Sequence, residues 1–92
     1  MIKSFKHKGL KRLFETGQTA GVNPQHADRL RKILALLETS ESIEDMKLPG
    51  LHLHYLKGKR KGILAVKVTG NWRVTFKIEN GDILDGTYED YH

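Results

Sequence analysis

The chain has 92 residues, 38% of them hydrophobic and 29% charged, with no cysteine and a formal net charge of +5. This length builds one modest core, so a single domain over residues 1–92 is expected, and the missing cysteines exclude disulfides, thiolate zinc sites and cysteine catalysis. The longest apolar run, Ile33 to Leu37, is far below the roughly 20 residues of a membrane span, and the basic start leads into no apolar secretory segment, so a cytoplasmic protein without a membrane partner is expected.

The charges are sorted along the chain. Lys3, Lys6, Lys8, Lys11 and Arg12 crowd the first stretch, Lys57, Lys59, Arg60 and Lys61 crowd KGKRK, and Glu38, Glu41, Glu44 and Asp45 form an acidic patch between them. Two basic stretches in so short a chain fit a polyanionic partner.

Ile2 to Phe5 reads as a short first strand. In HKGLKRLFETG, Leu10, Leu13 and Phe14 fall on one helical face and Gly17 stands where a helix ends. A second helix opens at Asn23 as N-cap with Pro24 in the first turn, and Ala27, Leu30, Ile33, Leu34 and Leu37 mark its buried side. Ser42 to Asp45 has capping-box spacing and predicts one more turn before Pro49 and Gly50.

From Leu51 the period changes to two. LHLHYL alternates Leu51 and Leu53 with His52 and His54, and WRVTFKIE sets Trp72, Val74, Phe76 and Ile78 against Arg73, Thr75, Lys77 and Glu79. The second half is therefore expected to be an antiparallel sheet with one buried face.

Asn80-Gly81 predicts a tight hairpin that pairs Glu79 with Asp82 and sets Arg73 opposite Tyr88. That register puts Asp85 and Thr87 on the buried side, which a bulge would relieve. For the preceding hairpin, a three-residue loop, Thr69 to Asn71, pairs Val68 with Trp72, Val66 with Val74 and Leu64 with Phe76. A two-residue loop at Gly70-Asn71 would set the two faces out of phase. The chosen register places Lys67 across from Arg73, a like-charge pair that makes sense on a face that receives an anion such as phosphate.

The polar face so assembled holds His52, His54, Lys57, Lys67 and Arg73, with Glu89, Asp90, Tyr91 and His92 returning past it. Metal binding at His52 and His54 is disfavoured by the surrounding cations, so neither a metal nor another cofactor is expected. Plain RNA binding would use the same lysines with a tyrosine as stacking platform. Metal-free RNA cleavage is the third reading: the 2′-OH is the nucleophile, and the protein supplies a base, an acid and a cation for the phosphorane.

LHYLKG (Leu53 to Gly58), NWRVTF (Asn71 to Phe76), YEDYH (Tyr88 to His92) and the opening MIKSFKHKGLKRLF, in this order and spacing, resemble the HigB branch of the RelE-type bacterial toxins. The similarity covers essentially the whole chain. It implies an α+β, RelE-like fold with two N-terminal helices packed on a twisted, mainly antiparallel β-sheet of about four to five strands. It further implies the toxin of a type II toxin–antitoxin system: an endoribonuclease, or mRNA interferase, that cleaves mRNA in the ribosomal A site. The partners implied are a cognate helix-turn-helix antitoxin of the HigA type, the small ribosomal subunit and mRNA, with operator DNA reached only through the antitoxin complex.

Carried over by motif, the catalytic positions fall on His54, Lys57, Arg73, Asp90, Tyr91 and His92. Arg73 and Lys57 would stabilise the phosphate, His54 and His92 would transfer protons in either order, Asp90 would orient an imidazole, and Tyr91 would stack on a base or assist proton transfer. Lys8, Lys11, Arg12, Lys59, Arg60, Lys61 and Lys67 are expected to contact RNA or the ribosome. Tyr55 stands where the branch commonly has proline, and His52 matches no catalytic position. Two rival functions are a non-catalytic RNA-binding protein and a gyrase-poisoning toxin on the same scaffold.

Overall fold

The computed structural model describes residues 1–91; the expected catalytic position His92 lies outside the described residues. Helices α1 (Lys8–Thr16) and α2 (Ala27–Thr39) precede an antiparallel sheet of β1 (His54–Tyr55), β2 (Leu64–Thr69), β3 (Trp72–Glu79) and β4 (Asp82–Asp90), hydrogen-bonded in the order β1-β2-β3-β4. The α+β arrangement expected from the sequence is the one observed. No helix among the described residues is long and apolar enough to cross a membrane.

Each helix begins on a histidine or next to one. His7 Nδ1 accepts from the Leu10 amide and caps α1, which ends at Gly17 in the left-handed conformation. Asn23 Oδ1 accepts from the Gln25 amide and opens a single 3-10 turn, Pro24–His26, that runs on into α2. The capping box at Ser42 and Asp45 is present and opens the turn Ile43–Met46. Leu10 and Leu13 from α1 and Leu30, Ile33, Leu34 and Leu37 from α2 pack with Leu64, Val66, Val74, Phe76, Ile83 and Tyr88 of the sheet in one core.

Gly9 and Gly21 bring two backbones close together in the helical layer. A Cβ on Gly9 would lie 2.2 Å from the Gly21 carbonyl oxygen, and one on Gly21 would lie 2.4 Å from the Gly9 Cα. The α1–α2 connection can cross α1 only where neither backbone carries a side chain.

The structure corrects four sequence expectations. The first strand is reduced to two isolated parallel bridges, Ile2 to Ile83 and Phe5 to Gly86. LHLHYL yields only the two-residue β1, because His52 adopts φ +51° and turns the chain out of extended geometry before His54. At the β2–β3 hairpin Thr69 pairs with Trp72, so Gly70-Asn71 is the link, and a bulge between Lys67 and Thr69 restores the phase. The pairs Leu64–Phe76, Val66–Val74 and Lys67–Arg73 stand as expected.

The fourth correction bears most on function. Glu79 pairs with Asp82, but β4 carries one extra residue facing the interval between Thr75 and Lys77, and Asp85 there has φ +58°. Beyond this bulge Arg73 faces Glu89, and Tyr88 pairs with Val74 and is 4% exposed. Tyr88 belongs to the core, not to the polar face.

Two stability predictions arise here. Gly9→Ala forces two backbones apart and should cost about 1–3 kcal/mol or more, read from the midpoint of denaturant unfolding. His7 is the second case: burial, with its ring edge-on to Tyr88 at 5.4 Å, lowers its pKa below the ordinary 6.5. The fold therefore favours the neutral imidazole, and the unfolded chain binds more protons as pH falls. Stability held above pH 6.5 should be lost as pH falls from 6.5 through the lowered folded value. His7→Asn keeps a capping oxygen without the titration. Unfolding curves at several pH values should show the gap between wild type and this variant shrinking on acidification.

Candidate functional site

Residues paired across antiparallel strands share a face, so the register defines the site. One row runs His54, Ala65, Thr75, Thr87, and the next runs Lys67, Arg73, Glu89. The rows lie two residues apart on each of the three long strands, so both stand on the face away from the helices. At the centre of that face Ala65 is 0% and Thr75 2% exposed. Thr75, expected in solvent, instead lines a depression of about 190 Å³ together with Lys6, Arg60, Lys77, Asp85 and Thr87. The Gly58–Arg60 turn and the N-terminal segment contribute its walls.

His54 is exposed on the edge strand, and its Nδ1 lies 2.8 Å from the His52 carbonyl oxygen. A carbonyl can only accept, so Nδ1 carries a proton and Nε2 is the ring nitrogen left for other partners. The φ of +51° at His52 sets that carbonyl's direction.

Arg73 is half-buried between Lys67 on one side and Glu89 on the other. Its Nη1 donates to the Gly70 carbonyl at 2.8 Å and the Trp72 carbonyl at 3.1 Å. The guanidinium thus leans on carbonyl dipoles at the β2–β3 turn, which offsets part of its repulsion by Lys67.

Arg60 is expected from the sequence, with Lys59 and Lys61, to contact RNA or the ribosome. It is turned onto the sheet, where Nη2 pairs with Glu89 Oε1. That oxygen is shut off from solvent and has no well-aligned hydrogen-bond donor among the described residues. Arg60, Lys67, Arg73 and Glu89 together leave the face two cations in excess. The sequence offered no sign of the Arg60–Glu89 pair, because its partners lie in segments separated by two strands.

Lys57 caps the Gly58–Arg60 turn and is exposed, as are Lys59 and Lys61. Asp90 pairs with Trp72 and so lies on the opposite side of the strand from Arg73. The next step of the alternation returns Tyr91 to the Arg73 side, where it is 39% exposed and its amide donates to the Asn71 carbonyl at 2.7 Å. Lys8, Lys11 and Arg12 are exposed on α1, in the helical layer and away from this face. His54, Lys67, Arg73 and Tyr91 therefore share a face, Lys57 borders it, and α1 forms a separate basic surface. Among the described residues, no three His, Asp or Glu side chains converge as metal ligands.

Behind the face is a cluster that sequence reasoning missed. The Tyr88 oxygen lies 2.5 Å from Nδ1 of the buried His26. Trp72 stacks on Tyr88 at 4.6 Å and 26° and meets His26 edge-on at 5.4 Å. Burial raises the Tyr88 pKa, while the Asn23 amide donating to its oxygen acts the other way. The Tyr88 oxygen thus has hydrogen-bond partners in both Nδ1 of His26 and the Asn23 backbone. The cluster locks β4 immediately before Glu89, so the last described residues are held by the core.

Residues 3–92 match the family described as the RelE-like toxin of the type II toxin–antitoxin system HigB. The chain is 49% identical to Endoribonuclease HigB of Proteus vulgaris over 92 residues, all of both chains. It is 28% identical to Toxin HigB-1 of Vibrio cholerae serotype O1, over all of this chain and 98% of that protein. The chain belongs to the HigB-like family of RelE-like toxins, the toxin component of type II toxin–antitoxin systems, whose partner is an antitoxin.

Proposed function

We propose that this toxin is a ribosome-dependent endoribonuclease that cuts mRNA in the A site, without a metal, by attack of the RNA's own 2′-OH. RNA cleavage comes to the chain through full-length 49% identity with a protein named an endoribonuclease. One observation carries the finer reading: a histidine with its Nε2 left for other partners stands on the same face as the adjacent cations Lys67 and Arg73.

In this mechanism His54 takes the 2′-OH proton at Nε2. Arg73 and Lys57 stabilise the dianionic phosphorane, and Lys67 neutralises the phosphate that draws it close to Arg73. His92 gives a proton to the departing 5′-oxygen, with Asp90 orienting it, and Tyr91 stacks on a displaced base. Lys8, Lys11, Arg12, Lys59, Arg60 and Lys61 contact ribosomal or messenger phosphates. The toxin acts in the cytoplasm as one domain, residues 1–92. Its antitoxin is a HigA-type helix-turn-helix protein, and operator DNA is met only through that complex.

Arg73→Ala should lower kcat on mRNA-programmed ribosomes by about 10²- to 10³-fold, with ribosome affinity nearly unchanged. Equal losses of rate and affinity in single-turnover assays would reduce Arg73 to a plain phosphate contact. His92→Gln should slow cleavage by about 10²- to 10⁴-fold while antitoxin binding persists in a pull-down. Undiminished cleavage by that variant would remove His92 from the mechanism.

A further inference from the structure

The loop from β1 to β2 borders an open cavity of about 610 Å³ lined by Tyr55, Leu56, Lys57, Gly58, Lys61 and Gly62. The loop is a built element. The Leu56 amide donates to the Ile63 carbonyl at 2.8 Å and closes its neck, and the buried Leu56 side chain anchors it. Gly58 and Gly62 put nothing into the space, since a Cβ on either would meet no atom within 4 Å.

Tyr55 supplies the aromatic wall. It is 54% exposed, and its ring pairs with no other aromatic among the described residues. Lys57 and Lys61 flank the cavity, exposed, and neither has an ion-pair partner among the described residues.

The chemistry of this lining selects its occupant. An apolar protein surface would bury two ammonium groups unpaired, which is costly. A nucleotide offers a flat π face to the tyrosine and carries its own phosphate to each lysine, the combination that single-strand binders use. The chain's charge of +5 favours the same ligand.

We infer that Tyr55 is a stacking platform for one unstacked base of single-stranded RNA, with its neighbouring phosphates held by Lys57, on the scissile side, and by Lys61 on the other. Tyr55 and His54 are successive residues of β1 and point to opposite sides of it. The stacked base therefore lies beyond the scissile phosphate, across the edge strand from the base-catalysed step. This inference rests on the RNA-cleaving function proposed above.

The test uses the full-length toxin with Tyr55→Leu, Tyr55→Phe and Tyr55→Trp. KM is measured on programmed ribosomes, and stacking is read from quenching of 2-aminopurine in an uncleavable 2′-O-methyl mRNA bound there. Loss of one base–aromatic stack corresponds to roughly a 5- to 100-fold change in affinity. Tyr55→Leu should raise KM by that factor and abolish quenching, with its thermal midpoint unmoved, while Tyr55→Phe and Tyr55→Trp keep both properties. Unchanged KM and quenching in Tyr55→Leu would overturn the platform while wild-type cleavage still upholds the function. Weakened antitoxin binding with unchanged KM would overturn it too and assign the cavity to a protein partner. A wild-type toxin that neither cleaves nor binds the RNA would overturn both readings.

Discussion

The extra residue in β4 decides what each side of the tail presents. Side chains alternate strictly along a strand, so one inserted residue exchanges the two faces for everything beyond it. Before the bulge Ile83 points to the core; after it Gly86 and Tyr88 do, and Thr87 and Glu89 fall on the polar face. Without Asp85 in its left-handed conformation, Glu89 would enter the core and Tyr88 would stand beside Arg73. The first residues of the chain hold the bulge from outside. Ile2 and Phe5 bridge β4 on either side of it, the Gly86 amide donates to the Ser4 carbonyl, and the Asp85 amide donates to Ser4 Oγ. Phe5 lies so near Gly86 that a Cβ there would be 3.0 Å from its ring.

The inner consequence of that parity is the lock on the helices. Tyr88 bonds to His26 at the entry of α2 and lies edge-on to His7, the cap of α1. Both helix starts are thus fixed against the strand whose next residue faces Arg73. Burying a tyrosine costs little when its hydroxyl is satisfied, and here it has partners in His26 and the Asn23 backbone. Core packing and site geometry share one residue pair, Tyr88 and Glu89, pointing in opposite directions.

Much of this was legible in the sequence because the information was local. Asn80-Gly81 fixed the start of the last hairpin, the period-two pattern of β3 fixed its faces, and apolar matching placed Lys67 across from Arg73. What escaped needed a partner from far along the chain. That a bulge would relieve Asp85 and Thr87 was readable, but its exact place and its turning of Tyr88 into the core were not: the bulge at Asp85 is held by Ser4, 81 positions away. Thr75 looked solvent-facing because alternation reports only which side a residue is on, and the cover comes from Lys6 and Arg60 in other segments. His52 interrupts a faultless-looking alternation through its backbone angle alone. His54, Lys67, Arg73 and Tyr91 were readable as neighbours on one side, whereas Asp90 emerged on the other.

The polar face is shallow, and that sets the terms of its chemistry. Two unit charges about 4 Å apart interact by about 1 kcal/mol in water and several times more where water is excluded. Lys67 beside Arg73 is therefore tolerable in the free toxin, especially with Arg73 resting on the Gly70 and Trp72 carbonyls. The same weakness limits what these cations could do for a phosphorane in open solvent. A substrate presented inside a large RNA assembly would displace that water. It would turn the like-charge pair from a small cost into the stronger half of an anion site. The ribosome dependence proposed above would then have a physical basis in dielectric screening: the toxin would supply the charges, and its partner the dry surroundings that make them strong.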